Sequence, residues 1–283
     1  WVRHPFAPAN PEVNQELTKS FLESRRDGLS PETLKFYEGY LRRSMSVIGP
    51  SVTGQEIKGF LDSRQCSMAG RHAYYRVLRA FYNWLYSPRS GMGLNPWDNP
   101  MKWIDPPKMA KRMLPSLTRE EVEVVIGKAG KARDRAIVSL FAESGLRLTE
   151  LANIRLKDID FGNRTIRTVG KGNKEALAPF GEQSEHYLKM WLAEYQPNGS
   201  TVWGVNRWQI VVIMRNLKAR TGLPCNPHTF RRTFACLLRK AGVDCLTIKD
   251  LGRWESVSMV VRYTRSFGFA DAMRFYKGPL SGN

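Results

Sequence analysis

Cysteine is scarce in this chain: four in 283 residues, with no Cys-x-x-Cys pair to hold zinc or run redox chemistry. Cys66, Cys225, Cys236 and Cys245 read as free, buried thiols of a cytosolic protein. Histidine is as rare, and His4, His72, His186 and His228 lack metal-ligand spacing. The acidic residues form no clustered carboxylate motif, which argues against a metal-dependent nuclease; neither metal nor cofactor is expected. No run of about 18 apolar residues is present to span a bilayer, so no membrane partner is expected, and no signal-peptide pattern opens the chain. A first residue of Trp1 rather than methionine is compatible with a further segment upstream. Repeats and low-complexity tracts are also missing.

The largest shortage is of negative charge. Only 26 Asp and Glu face 44 Lys and Arg, a formal net charge of +18. Residues 1–105 hold 14 basic against 10 acidic side chains and residues 106–283 hold 30 against 16, so the excess sits in the second part. Such a surplus predicts a polyanionic partner, and nucleic acid is the expected one. Apolar content of 42% and charged content of 25% are those of a soluble globular protein, long enough for two domains.

Residues 1–11 carry three prolines and read as an extended arm. Helical periodicity follows over 14–26, then over a stripe of Leu34, Tyr37, Leu41, Met45 and Ile48 opened by Ser30 and Pro31. Shorter and longer helices are expected over 53–63 and 69–86, the latter burying Tyr74, Leu78, Phe81 and Leu85. Arg71, Arg76 and Arg79 lie off that stripe and are candidates for DNA contact. Prolines 88, 96, 100, 106, 107 and 115, with Gly91 and Gly93, exclude regular structure across most of 87–115. The end of that stretch, with Lys108, Lys111 and Arg112 and no acid, reads as a linker able to follow a phosphate backbone. The expected organisation is an N-terminal helical DNA-binding domain over 1–105, a basic linker over 106–116 and a catalytic domain over 117–283.

The second domain alternates less simply. Helices are expected over 118–129 and 131–144, with a stop and restart at Ser144-Gly-Leu-Arg147. The period then changes to two around 159–161, 165–169 and 175–179, with turns near Asn163 and Lys171, giving a small antiparallel sheet. Helical patterns return over 183–195, 206–221, 228–241, 244–252, 256–265 and 269–276. The fold class is mainly α with one small antiparallel β-sheet, α+β.

Several polar residues stand out along this domain. His228 and Arg231 lie three apart after Pro227, so both leave one face of a first helical turn, a natural cradle for phosphate. Arg147 is a second guanidinium at a helix junction, and two arginines can clamp the non-bridging oxygens of a phosphodiester. Lys171 sits in a Gly-Lys-Gly turn able to deliver a proton to a leaving oxygen. Tyr263 lies between Arg262 and Arg265, nine residues after Trp254; a phenol of pKa near 10 needs cations and an acceptor to become a nucleophile. Each signal has a plain alternative. Arg147 has Glu150 to pair with, Lys171 sits in what is commonly just a turn, His228 suits a helix cap and Trp254 a core.

The ordered set resembles the tyrosine recombinase (phage integrase) family. Ser144-Gly-Leu-Arg147-Leu-Thr-Glu150-Leu is similar to the family's first arginine motif, and Val169-Gly-Lys171-Gly-Asn-Lys174 to its hairpin lysine. His228-Thr-Phe-Arg231-Arg232-Thr-Phe-Ala is similar to the second arginine box, and Leu251-Gly-Arg-Trp254 with Met259-Val-Val-Arg262-Tyr263 to the closing motif. The likeness is strong over 117–276 and architectural only in the N-terminal bundle. It implies a helical core-binding (SAM-like) domain and a catalytic domain closing as a C-shaped clamp on DNA. It implies site-specific recombination through a 3′-phosphotyrosyl link and a Holliday junction, by a homo-tetramer on two DNA sites that is a dimer or monomer without DNA. Arg147 and Arg231 then bind the scissile phosphate, Lys171 is the general acid with Lys174 as its substitute, and Tyr263 attacks. His228 bonds the phosphate or assists the phenol, Trp254 donates its indole N–H or packs the site, and Glu150 steadies it. Lys174 and Arg232 join the residues expected to contact DNA. Trp254 replaces a histidine frequent in the family, and Arg232 stands where histidine is also common. The tail 267–276 resembles a helix that docks on a neighbouring protomer, in a cytoplasmic, nucleoid-associated assembly. The rival readings are a type IB topoisomerase-like enzyme and a catalytically idle DNA-binding relative.

Overall fold

The computed structural model describes residues 11–108, 114–170, 175–198 and 201–278. Contacts divide the chain into two compact units, Trp1–Lys111 and Arg112–Asn283.

The first unit is a bundle of four helices: α1 (Pro11–Glu23), α2 (Pro31–Met45), α3 (Gly54–Ser63) and α4 (Met68–Leu85). Local chemistry sets their starts. Ser30 accepts from Thr33 N, and Thr53 forms a capping box with Glu56, satisfying N–H groups that the helix itself leaves free. Apolar faces of all four close on Leu17, Phe21, Leu41, Ile57, Leu78 and Phe81, each buried. Phe21 meets Phe81 edge-on at 5.6 Å, and Tyr82 Oη donates to Gly49 O at 2.7 Å, tying α4 to the turn after α2. The proline-rich stretch beyond α4 is more ordered than its composition predicts. It holds three single 3-10 turns, Pro88–Ser90, Pro96–Asp98 and Pro100–Trp103, each with proline in its first position, where a fixed φ and a missing N–H cost nothing. Met101 from the last of these is buried in the bundle core.

The second unit opens with α5 (Arg119–Lys128), capped by Thr118 and Glu121, and α6 (Ala132–Ser144). Nearly every face of α6 is buried, because α5, α8 (Glu182–Glu194) and α10 (Pro227–Lys240) pack around it. After α7 (Leu148–Ala152) come β1 (Ile159–Asp160), β2 (Thr165–Val169) and β3 (Glu175–Pro179), antiparallel in that order. The register puts Ile166 between Ile159 and Ala178. α9 (Arg207–Thr221) completes the main core, whose largest buried side chain, Trp203, donates to Leu151 O at 2.5 Å.

Three short helices close the chain: α11 (Cys245–Leu251), α12 (Val257–Tyr263) and α13 (Phe269–Met273). The first two pack on α10 around Phe234, Ile248, Trp254 and Val260. α13 stops three residues before the expected 276; Phe275 leaves the helix to stack on Phe267 at 6.5 Å. Among the described residues no helix is long and apolar enough to cross a membrane.

Candidate active site

The site grows from three chain breaks in the second unit. The first is the end of α6. Gly145 takes a left-handed φ of +58°, and a Cβ there would meet Phe234 Cδ1 at 2.5 Å, so only glycine closes this helix so near α10. The chain restarts at once with Arg147 as N-cap of α7. Glu150 accepts from Arg147 N at 2.9 Å with one oxygen and from Arg147 Nη1 at 2.6 Å with the other. One buried carboxylate therefore fixes both the backbone and the guanidinium of Arg147, whose side chain stays 42% exposed.

The second break is the start of α10. Asn226 accepts from Thr229 N at 2.9 Å and Pro227 occupies the first helical turn, which puts His228 on the exposed rim and Arg231 one turn deeper. Arg231 is 4% exposed. It donates through Nη1 to Gly145 O and through Nη2 to Gly252 O at 2.6 Å, joining the ends of α6 and α11. Both carbonyls belong to helix ends with no acceptor role inside the helix, which is why a buried guanidinium is tolerated here.

The third break, after α11, supplies the aromatic wall. Arg231 Cζ lies 4.5 Å from the centre of the Trp254 ring, and that ring meets Tyr263 at 5.8 Å and 65°. Cys236 Sγ donates to Tyr263 O at 3.3 Å, so α10 also holds the last residue of α12. Between these helices Arg253 takes a left-handed φ of +56°, which costs a residue with a Cβ about 1–2 kcal/mol.

Charge in this pocket is unbalanced. Arg147, Arg231 and Arg253 surround one carboxylate, Glu150. Burial, then the charges of Arg147 and Arg253, push Arg231 down to about 9. Burial, then Arg232, Arg231 and Arg147, hold His228 below its ordinary value. Burial pulls the Glu150 carboxyl upward, but its hydrogen bonds from Arg147 and the charges of Arg253 and Arg147 override this and leave it low. The pocket thus holds more positive charge than its own acid neutralises, and a bound anion would relieve it. Beside Glu150, β2 and β3 flank a cleft of about 510 Å³ lined by Arg155, Lys157, Arg167 and Glu175.

The structure brings Arg147, Glu150, Arg231, Trp254 and Tyr263 into one cluster and places His228 at its edge. Lys171 and Lys174, which follow β2 and precede β3 in the sequence, lie outside the described residues, as do Lys111 and Arg112. Lys108 is exposed. Arg232 corrects an expectation. Instead of facing DNA it is buried, donating through Nε to Pro115 O at 2.9 Å and through Nη2 to Thr229 Oγ1 at 3.0 Å. Arg71 is likewise drawn back, half-buried with its Nη1 3.5 Å from Asp62 Oδ1, whereas Arg76 and Arg79 are exposed. Sequence reasoning missed Arg253. Its signal was faint, an arginine following the glycine of a helix stop. Among the described residues no group of three or more His, Cys, Asp or Glu side chains is placed to hold a metal.

A sequence model described as the phage integrase family matches residues 115–268. Among characterised relatives, the tyrosine recombinase XerD of Listeria monocytogenes is 28% identical over 268 residues, covering 84% of this chain and 89% of its own. XerC of Staphylococcus epidermidis is 30% identical over 228 residues, covering 72% of this chain and 73% of its own. Among solved structures, a lambda integrase dimer bound to a core site superposes with a TM-score of 0.73 at 15% identity, over 93% of this chain and 97% of that one. XerH bound to its palindromic difH substrate, in a post-cleavage complex, gives 0.71 at 19% identity, over 93% and 82%. These likenesses establish the fold.

Proposed function

The chain belongs to the phage integrase family and is a tyrosine site-specific recombinase, and on that premise we propose that Tyr263 is the residue it joins to DNA. Arg147 and Arg231 bind the non-bridging oxygens of the scissile phosphate, which gain charge in the transition state. The Tyr263 oxygen bonds to phosphorus, the bond to the 5′ oxygen breaks, and that oxygen takes a proton from Lys171. His228 bonds a phosphate oxygen or receives the phenolic proton. Trp254 walls the site and Glu150 keeps Arg147 aligned. Attack on the phosphotyrosyl bond by a 5′ hydroxyl from the second duplex returns the phenol and rejoins the strand, so two exchanges pass through a Holliday junction. The working assembly is a homo-tetramer on two double-stranded sites, in the cytoplasm beside the nucleoid. Exposed Phe269, Met273 and Tyr276 on the tail support docking between protomers. The expected domain limits, 1–105, 106–116 and 117–283, remain part of this proposal, with Arg76, Arg79, Lys108, Lys111, Arg112 and Lys174 as DNA contacts.

The observation that carries the reading is the contact series from Arg231 through Trp254 to Tyr263. A duplex nicked beside the scissile phosphate, which loses the 5′ fragment after cleavage, tests it. The expected result is a covalent adduct whose tryptic peptide carries DNA on Tyr263. Attachment at another residue overturns the assignment, and absence of any adduct favours the idle DNA-binding alternative. Relaxation of supercoils without exchange between two sites favours the topoisomerase-like one.

A further inference from the structure

We propose that Arg253 is a positioning residue for strand cleavage, holding Arg147 and Glu150 in working geometry from a backbone conformation better suited to glycine. The proposal rests on the reading above, in which Arg147 binds the scissile phosphate.

The backbone gives the first argument. α11 ends in a Schellman turn: Arg253 N donates to Asp250 O and Trp254 N to Lys249 O, each at 3.0 Å. The left-handed position of that turn is where glycine is favoured, yet the glycine stands one residue earlier. It is needed there, because a Cβ on Gly252 would overlap the Trp254 ring. The left-handed position therefore falls to residue 253. Among the described residues one other non-glycine has a positive φ, Arg164, and it lies in a hairpin turn paired with Glu182 and Glu185 on the surface. Arg253 is different: its side chain is 9% exposed.

The contacts give the second. Arg253 donates through Nη1 to Leu251 O at 2.9 Å and through Nη2 to Ser144 O at 3.3 Å and Glu150 Oε2 at 3.4 Å. Its own carbonyl accepts from Arg147 Nη2 at 3.4 Å. One residue thus reaches the carboxylate and the guanidinium of the same pair, and ties both to the end of α6. Sharing Glu150 between two guanidiniums leaves Arg147 less neutralised than an isolated pair would, and so a stronger ligand for an anion. Strained backbone at a functional site is retained where the side chain it presents is needed.

Arg253→Gly separates the two roles, because it relaxes the backbone while removing the guanidinium. Thermal unfolding, affinity for a duplex site and the single-turnover rate on the nicked duplex are measured for wild type, Arg253→Gly and Arg253→Lys. The glycine variant should stay folded and bind within about threefold of wild type, while cleavage falls about 30-fold or more, the loss typical of a group that orients a first ligand. The lysine variant, which keeps the charge but lacks the fork to reach several acceptors, should fall between, about tenfold below wild type. Cleavage by the glycine variant within twofold of wild type overturns the proposal, as does an equal loss of binding and cleavage. Should the glycine variant fail to fold, the lysine variant decides: wild-type cleavage at unchanged affinity overturns the role. A wild-type protein that forms no adduct at Tyr263 defeats the underlying reading instead, whatever the variants do.

Discussion

The two units place their arginines in opposite ways. In the first, α4 buries Phe81 and Tyr82 fully, while Arg76 and Arg79 on the same helix are exposed. In the second, Arg231, Arg232 and most of Arg253 are inside, bonded to backbone carbonyls, to the Thr229 hydroxyl and to Glu150. A buried guanidinium is costly unless hydrogen-bonded, and here most of the partners of Arg231 and Arg253 come from places where a helix stops or starts. The contrast teaches where charge has been committed to one geometry and where it merely contributes to a field. Solvated arginines set attraction over a distance, screened by salt. Buried ones set the position of single atoms.

The comparison breaks if the inward arginines prove interchangeable with the outward ones. Tyr263→Phe, which removes the nucleophile and leaves the charges intact, should bind DNA as wild type does and form no adduct on a nicked duplex. Arg231→Ala should follow, with single-turnover cleavage down by about a thousandfold or more and affinity changed only a few-fold, since one guanidinium is a small part of the field. Equal losses in cleavage and binding for Arg231→Ala would place it with the surface arginines. Lys171→Ala should cleave slowly but recover much of its rate on a substrate whose 5′ leaving atom is sulfur, a group that departs without a proton. No recovery there would assign the acid to another side chain, Lys174 first.

A smaller effect is expected from pH. His228 is held below its ordinary value of about 6.5 by burial and three arginines, so it is neutral in the free protein near pH 7. A bound phosphate offsets those arginines and raises the imidazole toward protonation. Binding then takes up a proton, and affinity for the duplex should rise by a few-fold as pH falls from about 7 to 6. His228→Asn should flatten that slope. An affinity that is flat with pH in the wild type, measured by fluorescence anisotropy, would remove the imidazole from the phosphate.

Much of this was legible in the residues because local chemistry decides it. Ser30, Thr53 and Thr118 start helices where a hydroxyl precedes the right spacing. Three strands were readable from alternation on either side of two turns. What escaped is what depends on distant chain. Arg232 turns inward because Pro115, 117 residues away, offers a carbonyl. Arg253 was hidden because the glycine beside it serves the Trp254 ring rather than the left-handed turn, a fact visible only once the indole is in place. The proline-rich stretch is irregular over most of its described length, as expected, and its three single turns escaped for the converse reason. Prolines that break a long helix also start single turns, and Met101 then had a core to enter.

The smallest effect belongs to the outward side of the comparison. Arg76 and Arg79 are exposed on α4, and the former lies 5.9 Å from the Phe36 ring. If they face phosphate, each removes about one counterion on binding, so Arg76→Ala with Arg79→Ala should weaken affinity several-fold at low salt and reduce the slope of log K against log salt by about two. Cleavage of DNA already bound should be unchanged, because neither side chain belongs to the cluster around Tyr263. A salt slope identical to wild type would show these arginines to be solvated bystanders. A fall in the single-turnover rate at saturating protein would erase the division between the two units' arginines, since an outward charge would then be acting on the chemistry itself.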